Sequence, residues 1–124
     1  MAESIVQKKL AKLIQQELSD ILPGTGVVPS GALLTVSTVR VTGDLSIAKV
    51  YISVFPDQHI QSVLEKLTLR DWEMRKALAS RIRNKVRKIP EVRFYPDPSY
   101  KEAEEMINLL DNLKAQHNWD EDSE

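Results

Sequence analysis

Cysteine is absent from the 124 residues, and its absence excludes several classes of site. Without a thiol the chain has no disulfide bond, no thiolate nucleophile and no cysteine-ligated zinc or iron–sulfur centre. Long apolar runs are absent too, whereas a membrane-spanning helix needs about 20 consecutive apolar residues. The first residues, MAESIVQKK, carry charges where a signal peptide would have a continuous apolar segment. We therefore expect one soluble, cytoplasmic domain with no membrane partner.

Glycine and histidine are scarce, and their positions argue against an enzyme. The last of the four glycines is Gly43, so the rest of the chain holds no glycine-rich loop for phosphate. His59 and His117 are far apart in sequence and belong to no H-x-x-x-H or D-x-D-x-D pattern. Neither histidine therefore has the partners that acid–base catalysis or metal binding needs. We expect no catalytic residue, no metal or cofactor and no small-molecule substrate.

Charge is abundant but unevenly distributed. The chain has 17 basic and 18 acidic residues, yet residues 74–90 contain seven basic residues and no acidic one. The remainder, with 10 basic and 18 acidic residues, is negative. A local positive field attracts a polyanion such as nucleic acid even when the net charge is near zero. The candidate nucleic-acid-binding residues are Arg75, Lys76, Arg81, Arg83, Lys85, Arg87 and Lys88.

The spacing of apolar residues predicts that this basic segment begins as a helix and ends as a strand. Pro90 is predicted to stop the helix, because proline cannot continue it and biases the preceding residue towards an extended conformation. Val92–Tyr95 then alternate as a short strand would. The predicted packed face of the helix consists of Met74, Leu78, Ile82 and Val86. The predicted opposite face carries Lys76, Arg83 and Arg87.

A solvated helix is the alternative interpretation of the basic segment. In that case its cations interact only with water and with acids on neighbouring helices. The acid-free length of the segment favours binding of a nucleic acid instead. Arg70 and Lys49 are weaker candidates. Lys8, Lys9 and Lys12, on the polar side of the first helix, either extend the basic surface or simply solvate their own helix.

The first half of the chain predicts a helix followed by a hairpin. Residues 3–22 have apolar positions at i, i+3, i+4 and i+7, as an amphipathic helix does, and Pro23 begins a linker. Residues 33–41 and 47–55 alternate apolar and polar side chains and predict two strands, with a slip in phase near Thr38 that indicates a β-bulge. The turn residues between the two strands indicate a hairpin.

The second half predicts two more helices on either side of the basic segment. Asp57 is the predicted N-cap of a helix that bends or breaks between Leu67 and Trp72, where the apolar stripe changes register. Trp72 would suit stacking on a base, but a lone tryptophan beside an apolar stripe is more often a core or capping residue, and we expect the latter. After the strand, Ser99 and Glu102 have the spacing of a capping box and predict a final helix.

The order of elements and two sequence blocks resemble a known family. The order helix, strand, strand, helix, helix, strand, helix is similar to that of a type II KH domain. The block LLTVSTVRVTGDLSIAKVYISVF and the segment KIPEVRFYPDPS resemble, more narrowly, the ribosome-binding factor A family. The resemblance extends from Ile5 to about Leu113 and depends on the two blocks together.

This resemblance implies an α+β fold of the KH type II-like kind, order α-β-β-α-α-β with an additional C-terminal helix and a three-stranded sheet covered by helices on one face. It also implies a non-enzymatic assembly factor that binds the small ribosomal subunit and its rRNA. Such a factor assists late maturation, including rRNA 5′-end processing, and has a role in cold adaptation.

The chain departs from the family at one place. KH domains have a GxxG loop between the two middle helices, where the nucleic-acid backbone approaches closely, and the resembled family replaces it with an Ala-x-Gly kink. This chain has Leu69-Arg70-Asp71-Trp72 there. The expected contacts to RNA therefore come from Arg and Lys side chains.

We predict residues 1–117 as a single KH-like RNA-binding domain, present as a monomer, and residues 118–124 as an acidic, disordered tail. A protein-binding adaptor with a KH-like fold and an acidic protein partner is the alternative function, and a small cofactor-free hydrolase is the third. The salt dependence of RNA binding, together with co-sedimentation with small ribosomal subunits, distinguishes the first two, because phosphate contacts weaken steeply as salt rises.

Overall fold

The described part of the chain folds into four α-helices and three strands in the predicted order. The computed structural model describes the backbone of residues 3–122 and the side chains of residues 3–115. The elements are α1 (Ile5–Ile21), β1 (Leu33–Val41), β2 (Ile47–Phe55), α2 (Ile60–Leu69), α3 (Asp71–Ile82), β3 (Glu91–Pro96) and α4 (Ala103–Asp122). Short 3₁₀ helices, Leu22–Thr25 and Asp57–His59, follow α1 and precede α2. Within the described residues no helix is long and apolar enough to cross a membrane.

The three strands form one sheet in the order β1-β2-β3. Strands β1 and β2 are antiparallel, β2 and β3 are parallel, and the register shifts between Val36 and Thr38, where the bulge was predicted. Alternate strand residues such as Val50 are buried beneath the helices. On the other face, the ring centroids of the half-buried Tyr51 and Tyr95 lie 5.8 Å apart. The α+β, KH type II-like fold with helices on one face is confirmed.

The core lies between the buried face of the sheet and the helices. On α3, Met74, Leu78 and Ile82 are each 1% exposed or less. Val86, the fourth member of the predicted stripe, is half-buried and packs against the same core. The packed face of α3 was thus predicted correctly as far as the helix extends.

Hydrogen bonds from two side-chain amides connect helix α1 to strand β1 of the sheet. Ser4 caps the helix in a capping box with Gln7, at 2.8 and 3.1 Å. The Nε2 groups of Gln7 and Gln15 donate to the backbone carbonyls of Val41 and Val36 at 2.8 and 3.1 Å. These bonds satisfy polar groups of an edge strand that would otherwise lack a partner. The S-x-x-Q spacing of the cap is a signal that our sequence analysis missed.

Helix α3 is shorter than predicted, and this changes the geometry of the basic segment. The predicted end at Pro90 is wrong, because the helix ends at Ile82. The N–H groups of Lys85 and Val86 donate to the Ile82 carbonyl at 2.8 and 3.2 Å and close a turn. The chain then leaves the helix axis and returns Val86 to the surface of the core. Residues 83–89 form a loop, termed the basic loop below.

Helix α4 begins later than predicted. The predicted capping box is wrong, because α4 begins at Ala103 and Ser99 does not occupy its N-cap position. The Ser99 N–H instead donates to Oδ1 of Asp97 at 2.9 Å, which forms a turn before the helix. A capping box would require the Ser99 N–H to donate to the side chain of Glu102. Because this N–H donates to Asp97 instead, the capping box does not form.

Helix α4 also continues further than predicted. It extends to Asp122, so its backbone includes most of the range that we assigned to a disordered tail. Residues 123–124, and the side chains of His117 and Trp119, lie outside the described part of the chain. The division at residue 117 stays a prediction.

Candidate nucleic-acid interface

The seven predicted RNA-binding residues are all exposed, but the end of α3 divides them into two groups. The first group lies on the helix: Arg75, Lys76 and Arg81. The second group follows the helix: Arg83, Lys85, Arg87 and Lys88. The prediction that Arg87 shares one helix face with Lys76 is wrong, because the chain has left the helix before Arg87.

Arg81 joins α3 to α1 by two salt bridges. Its Nη1 lies 2.6 Å from Oδ2 of Asp20 and 3.2 Å from Oε1 of Glu17. The hydrogen bond to Asp20, and after it the one to Glu17, raises the pKa of Arg81 above its usual value. This is the cross-helix pairing of the alternative interpretation. The positive charge of Arg81 is therefore offset by two carboxylates of the same protein.

Arg75 holds the end of the basic loop against α3. Its Nη2 donates to the carbonyl of Ile89 at 3.2 Å. A guanidinium has five N–H donors, so this bond leaves Arg75 able to donate to a phosphate as well. Arg75 thus combines a structural contact with the capacity for an external one.

The other five candidate cations have no carboxylate partner among the described side chains. The ion pairs among the described residues are formed by Arg40, Arg70, Arg81, Arg93 and Lys114, and none of them includes these five cations. The five are Lys76, Arg83, Lys85, Arg87 and Lys88. An exposed cation with no acid beside it contributes its whole charge to the local field, which is the field that attracts phosphate.

A cavity of about 420 Å³, termed the basic groove, separates the basic loop from α1 and the β1–β2 turn. The loop contributes three cations and Val86, the turn contributes Asp44 and Leu45, and α1 contributes Lys9 among apolar residues. Lys9, whose role the sequence left open, therefore borders the same space as the cations of the loop. The sequence signal for this was the row of lysines on the polar side of α1.

Asp44 is the acid that borders the basic groove in the described part of the chain, and its own turn occupies its carboxylate. Oδ1 accepts from the Ser46 hydroxyl at 2.7 Å, the Thr42 hydroxyl at 2.8 Å and the Ser46 N–H at 3.1 Å. These hydrogen bonds, led by that of the Ser46 side chain, lower the pKa of Asp44 to about 2. The carboxylate shapes the turn and forms no ion pair with the loop.

The bend between α2 and α3 is fixed by two charged side chains. Arg70 donates to Oε2 of Glu73 at 2.7 and 3.0 Å and to the Thr25 carbonyl at 3.1 Å. Asp71, the first residue of α3, is buried and forms an ion pair with Lys114 of α4. The predicted break at this position is confirmed. Arg70, a weaker RNA candidate, is engaged with groups of the protein itself.

Trp72 lies on the surface, with 54% of its area exposed. The expectation that it is a core or capping residue is wrong. In a helix of about 3.6 residues per turn, Trp72 points away from Met74, which occupies the packed face. Leu69, on the other side of the bend, is 41% exposed. The bend therefore presents two large apolar side chains to solvent.

Another cavity in the described part of the chain is bordered by more acids than cations. A larger cavity, about 730 Å³, lies beside Phe55 and is bordered by Asp57, Glu102 and one cation, Lys101. Lys49, a weaker RNA candidate, is exposed on the open face of the sheet. Within the described side chains, no three His, Cys, Asp or Glu residues lie close enough to hold a metal ion.

Several curated proteins of similar sequence carry the same description. The sequence pattern of the family described as Ribosome-binding factor A matches residues 6–110. Ribosome-binding factor A of Chlorobium phaeobacteroides is 41% identical over 91% of this chain and 97% of its own length. That of Cytophaga hutchinsonii is 35% identical over 96% of this chain and 90% of its own length.

Two structural comparisons give the same description. The crystal structure of ribosome-binding factor A from Thermus thermophilus has a TM-score of 0.54 and 25% identity, covering 77% of this chain and 97% of that one. A homology model of the Thermus thermophilus protein, fitted into a cryo-EM map of a 30S–RbfA complex, has a TM-score of 0.54 and 26% identity and covers 76% and 93%.

Proposed function

The chain belongs to the ribosome-binding factor A family, and on that premise we propose that it is an assembly factor that binds the small ribosomal subunit through its rRNA. In this proposal it assists late maturation of the subunit, including rRNA 5′-end processing, and contributes to cold adaptation. It acts in the cytoplasm as a monomer and catalyses no reaction. The 30S complex of the Thermus thermophilus relative supports a small-subunit partner.

The observation that carries the proposal is a set of exposed cations on α3 and the basic loop that have no carboxylate partner among the described side chains. Phosphate contacts need positive side chains on ordered elements. Lys76 lies on α3, and Arg83 keeps helical backbone angles, φ −54° and ψ −31°. The rest of the loop is fastened at its start by the turn onto Ile82 and at its end by the bond between Arg75 and Ile89. Little ordering entropy is therefore lost when the loop binds.

Side chains replace the backbone clamp in this proposal. The α2–α3 bend contains no glycine, and its residues have β-carbons that limit a close approach of the RNA backbone. The cations of the loop reach phosphates at a distance from the protein backbone. Binding of this kind is largely independent of sequence and sensitive to salt.

Sedimentation with purified small ribosomal subunits over a range of salt concentrations tests the proposal. The variant Arg83→Glu/Arg87→Glu should bind more weakly, and each lost phosphate contact should lower the salt slope by roughly 0.7–0.9. The matched control Lys66→Glu/Lys101→Glu changes the charge equally at exposed residues on other elements and should bind as the wild type does. Arg81 stays unchanged in both, because a glutamate there would face two acids of α1.

Each outcome of this experiment has a distinct meaning. If both double variants bind equally, the basic loop is not the contact surface. If the wild type binds subunits with almost no salt dependence, phosphate contacts do not account for the binding, and the rRNA contact of the proposal is contradicted. If the folded wild type fails to co-sediment even at low salt, the proposed function is contradicted.

A further inference from the structure

Trp72 is an aromatic ring on α3 that is largely exposed to solvent. More than half of its surface is accessible. The ring pair in the described part of the chain is Tyr51 with Tyr95, and Trp72 takes part in no ring or cation–π contact there. Tryptophan carries a large apolar surface, so leaving it in water forgoes the stabilisation that burial would give. A ligand that covers the ring recovers that stabilisation.

The ring of Trp72 lies on the same face of α3 as Lys76 and Arg83, two cations with no carboxylate partner among the described side chains. Lys76 follows Trp72 by one helical turn, so their β-carbons are neighbours, roughly 5–6 Å apart. Arg83 lies two turns beyond Lys76 and keeps helical backbone angles, which places it in the same sector of the helix surface. Both cations are exposed. The outward face of α3 thus presents an aromatic ring followed by a row of positive charge.

The acids on either side of Trp72 are neutralised within the protein. Asp71 pairs with Lys114, and Glu73 accepts both hydrogen bonds of its pair with Arg70. Neither carboxylate is therefore available to repel a phosphate beside the ring. The same contacts fix the helix start from two directions, because Arg70 also bonds the Thr25 carbonyl and Lys114 belongs to α4. The backbone that carries the ring is held in place before any ligand binds.

We propose that Trp72 stacks on an unpaired base of the RNA held by the cations of α3 and the basic loop. The bend between α2 and α3 then contacts RNA through a stacked ring, at the position where other KH domains use backbone contacts. This deepens the proposed function and rests on it. The ligand class is single-stranded RNA without a fixed sequence, because every base has a face on which an indole can stack.

A protein partner is the competing occupant of an exposed tryptophan. Buried tryptophan is common at the centre of protein interfaces. The surroundings favour RNA, since the ring is followed by Lys76 and Arg83 and its adjacent acids are paired. An interface that buried these cations against protein would need carboxylates from the partner to offset them.

Fluorescence and affinity with a short, unstructured, fluorescein-labelled single-stranded RNA test the inference. In the variant Trp119→Phe, Trp72 is the remaining tryptophan, and stacking should quench its emission on titration with the unlabelled RNA. Trp72→Ala should weaken binding by roughly 5- to 150-fold, the range for loss of one base–aromatic stack. Its salt slope should stay unchanged, because no phosphate contact is lost. Trp72→Tyr should retain most of the affinity.

Two controls separate stacking from charge and from general surface loss. Lys76→Ala should lower the salt slope by about 0.7, the value for a single strand. Phe55→Ala removes another exposed aromatic ring, 71% accessible, and should bind RNA as the wild type does. Thermal melting of each variant establishes that it is folded.

The inference is overturned by any of three results. The first is a folded Trp72→Ala protein that binds the RNA and small subunits with wild-type affinity. The second is no quenching of Trp72 in the bound state. The third is loss of subunit binding by Trp72→Ala with unchanged RNA binding, which would assign the ring to a protein contact. In all three results the wild type still binds small subunits, so the proposed function survives. That function is contradicted if the wild type fails to co-sediment or binds with almost no salt dependence.

Discussion

Helix α3 and the basic loop contain similar cations in different electrostatic surroundings. On the helix, Arg81 faces Asp20 and Glu17, which belong to an element more than sixty residues away in sequence. In the loop, Arg83 and Arg87 form no ion pair with a carboxylate of the described side chains. A count of charge treats these arginines alike. Whether an arginine is available to RNA depends on which acids the fold brings to it.

The neighbouring elements explain the difference. Helix α1 packs beside α3 and turns two acids towards it. The basic loop instead faces the groove, whose acid, Asp44, already accepts three hydrogen bonds from its own turn. On the helix, Arg81 therefore stabilises the contact between α3 and α1, whereas the cations of the loop stay available to bind a ligand.

The largest effect that bears on this comparison is expected at Ile82, where the helix ends. Ile82→Asp places a carboxylate in a site with 0% exposure and should cost about 4–5 kcal/mol. That is comparable with the whole stability of a small domain, roughly 5–15 kcal/mol. Val86→Asp, on the half-buried loop residue, should cost clearly less. Urea unfolding followed by circular dichroism measures both.

The test depends on which of the two variants loses more free energy of unfolding. If Val86→Asp destabilised the protein as strongly as Ile82→Asp, the loop would be packed as tightly as the helix, and the boundary between the two regions would be wrong. Arg83→Ala, between these positions, serves as a control that should leave the unfolding curve unchanged.

Smaller effects are expected at Arg81 and Arg83, where one substitution should change stability and the other should change the salt dependence of binding. Arg81→Ala removes the link between α3 and α1, so its melting temperature should fall modestly while the salt slope of subunit binding stays the same. Arg83→Ala should leave the melting temperature unchanged and lower the salt slope by roughly 0.7–0.9. A matching loss of salt slope in both variants would remove the distinction between a structural and an RNA-facing arginine.

Much of the fold was predictable because its signals are local. The alternation of residues 33–41 and 47–55 predicted both strands of the hairpin with the observed bounds, and the phase slip predicted the bulge. The end of α3 was not predictable in the same way. Apolar spacing of four from Ile82 to Val86 suits a continuing helix, but it equally suits a turn that returns Val86 to the same core.

The candidate site was only partly predictable, because its composition is local and its partners are not. The acid-free run identified the cations. It could not show that Arg81 meets Asp20, since that pair joins distant segments. Trp72 was misjudged although its signal is local: Met74, Leu78 and Ile82 form the packed face of α3, and a residue two positions before Met74 lies on the opposite side of the helix.

The smallest effect is expected at Asp44, and it tests why the loop cations have no carboxylate partner among the described side chains. The pKa of Asp44 is lowered to about 2 in the folded protein, against about 3.9 for an unperturbed aspartate. Between these pH values the unfolded chain binds more protons, so stability rises with pH. The contribution of Asp44 to the free energy of unfolding is therefore fully present above about pH 4. It is lost as the pH falls through the pKa of Asp44 in the folded protein.

The variant Asp44→Asn should flatten this part of the acid unfolding profile, measured as the urea midpoint at a series of pH values. At neutral pH its salt slope for subunit binding should equal that of the wild type, because the carboxylate is bonded to Thr42 and Ser46 and occupies no loop cation. If the variant instead gained about one unit of salt slope, Asp44 would have been pairing with a cation of the loop in solution. The loop would then resemble the helix, with an internal acid limiting its charge, and the contrast between the two regions would be one of degree.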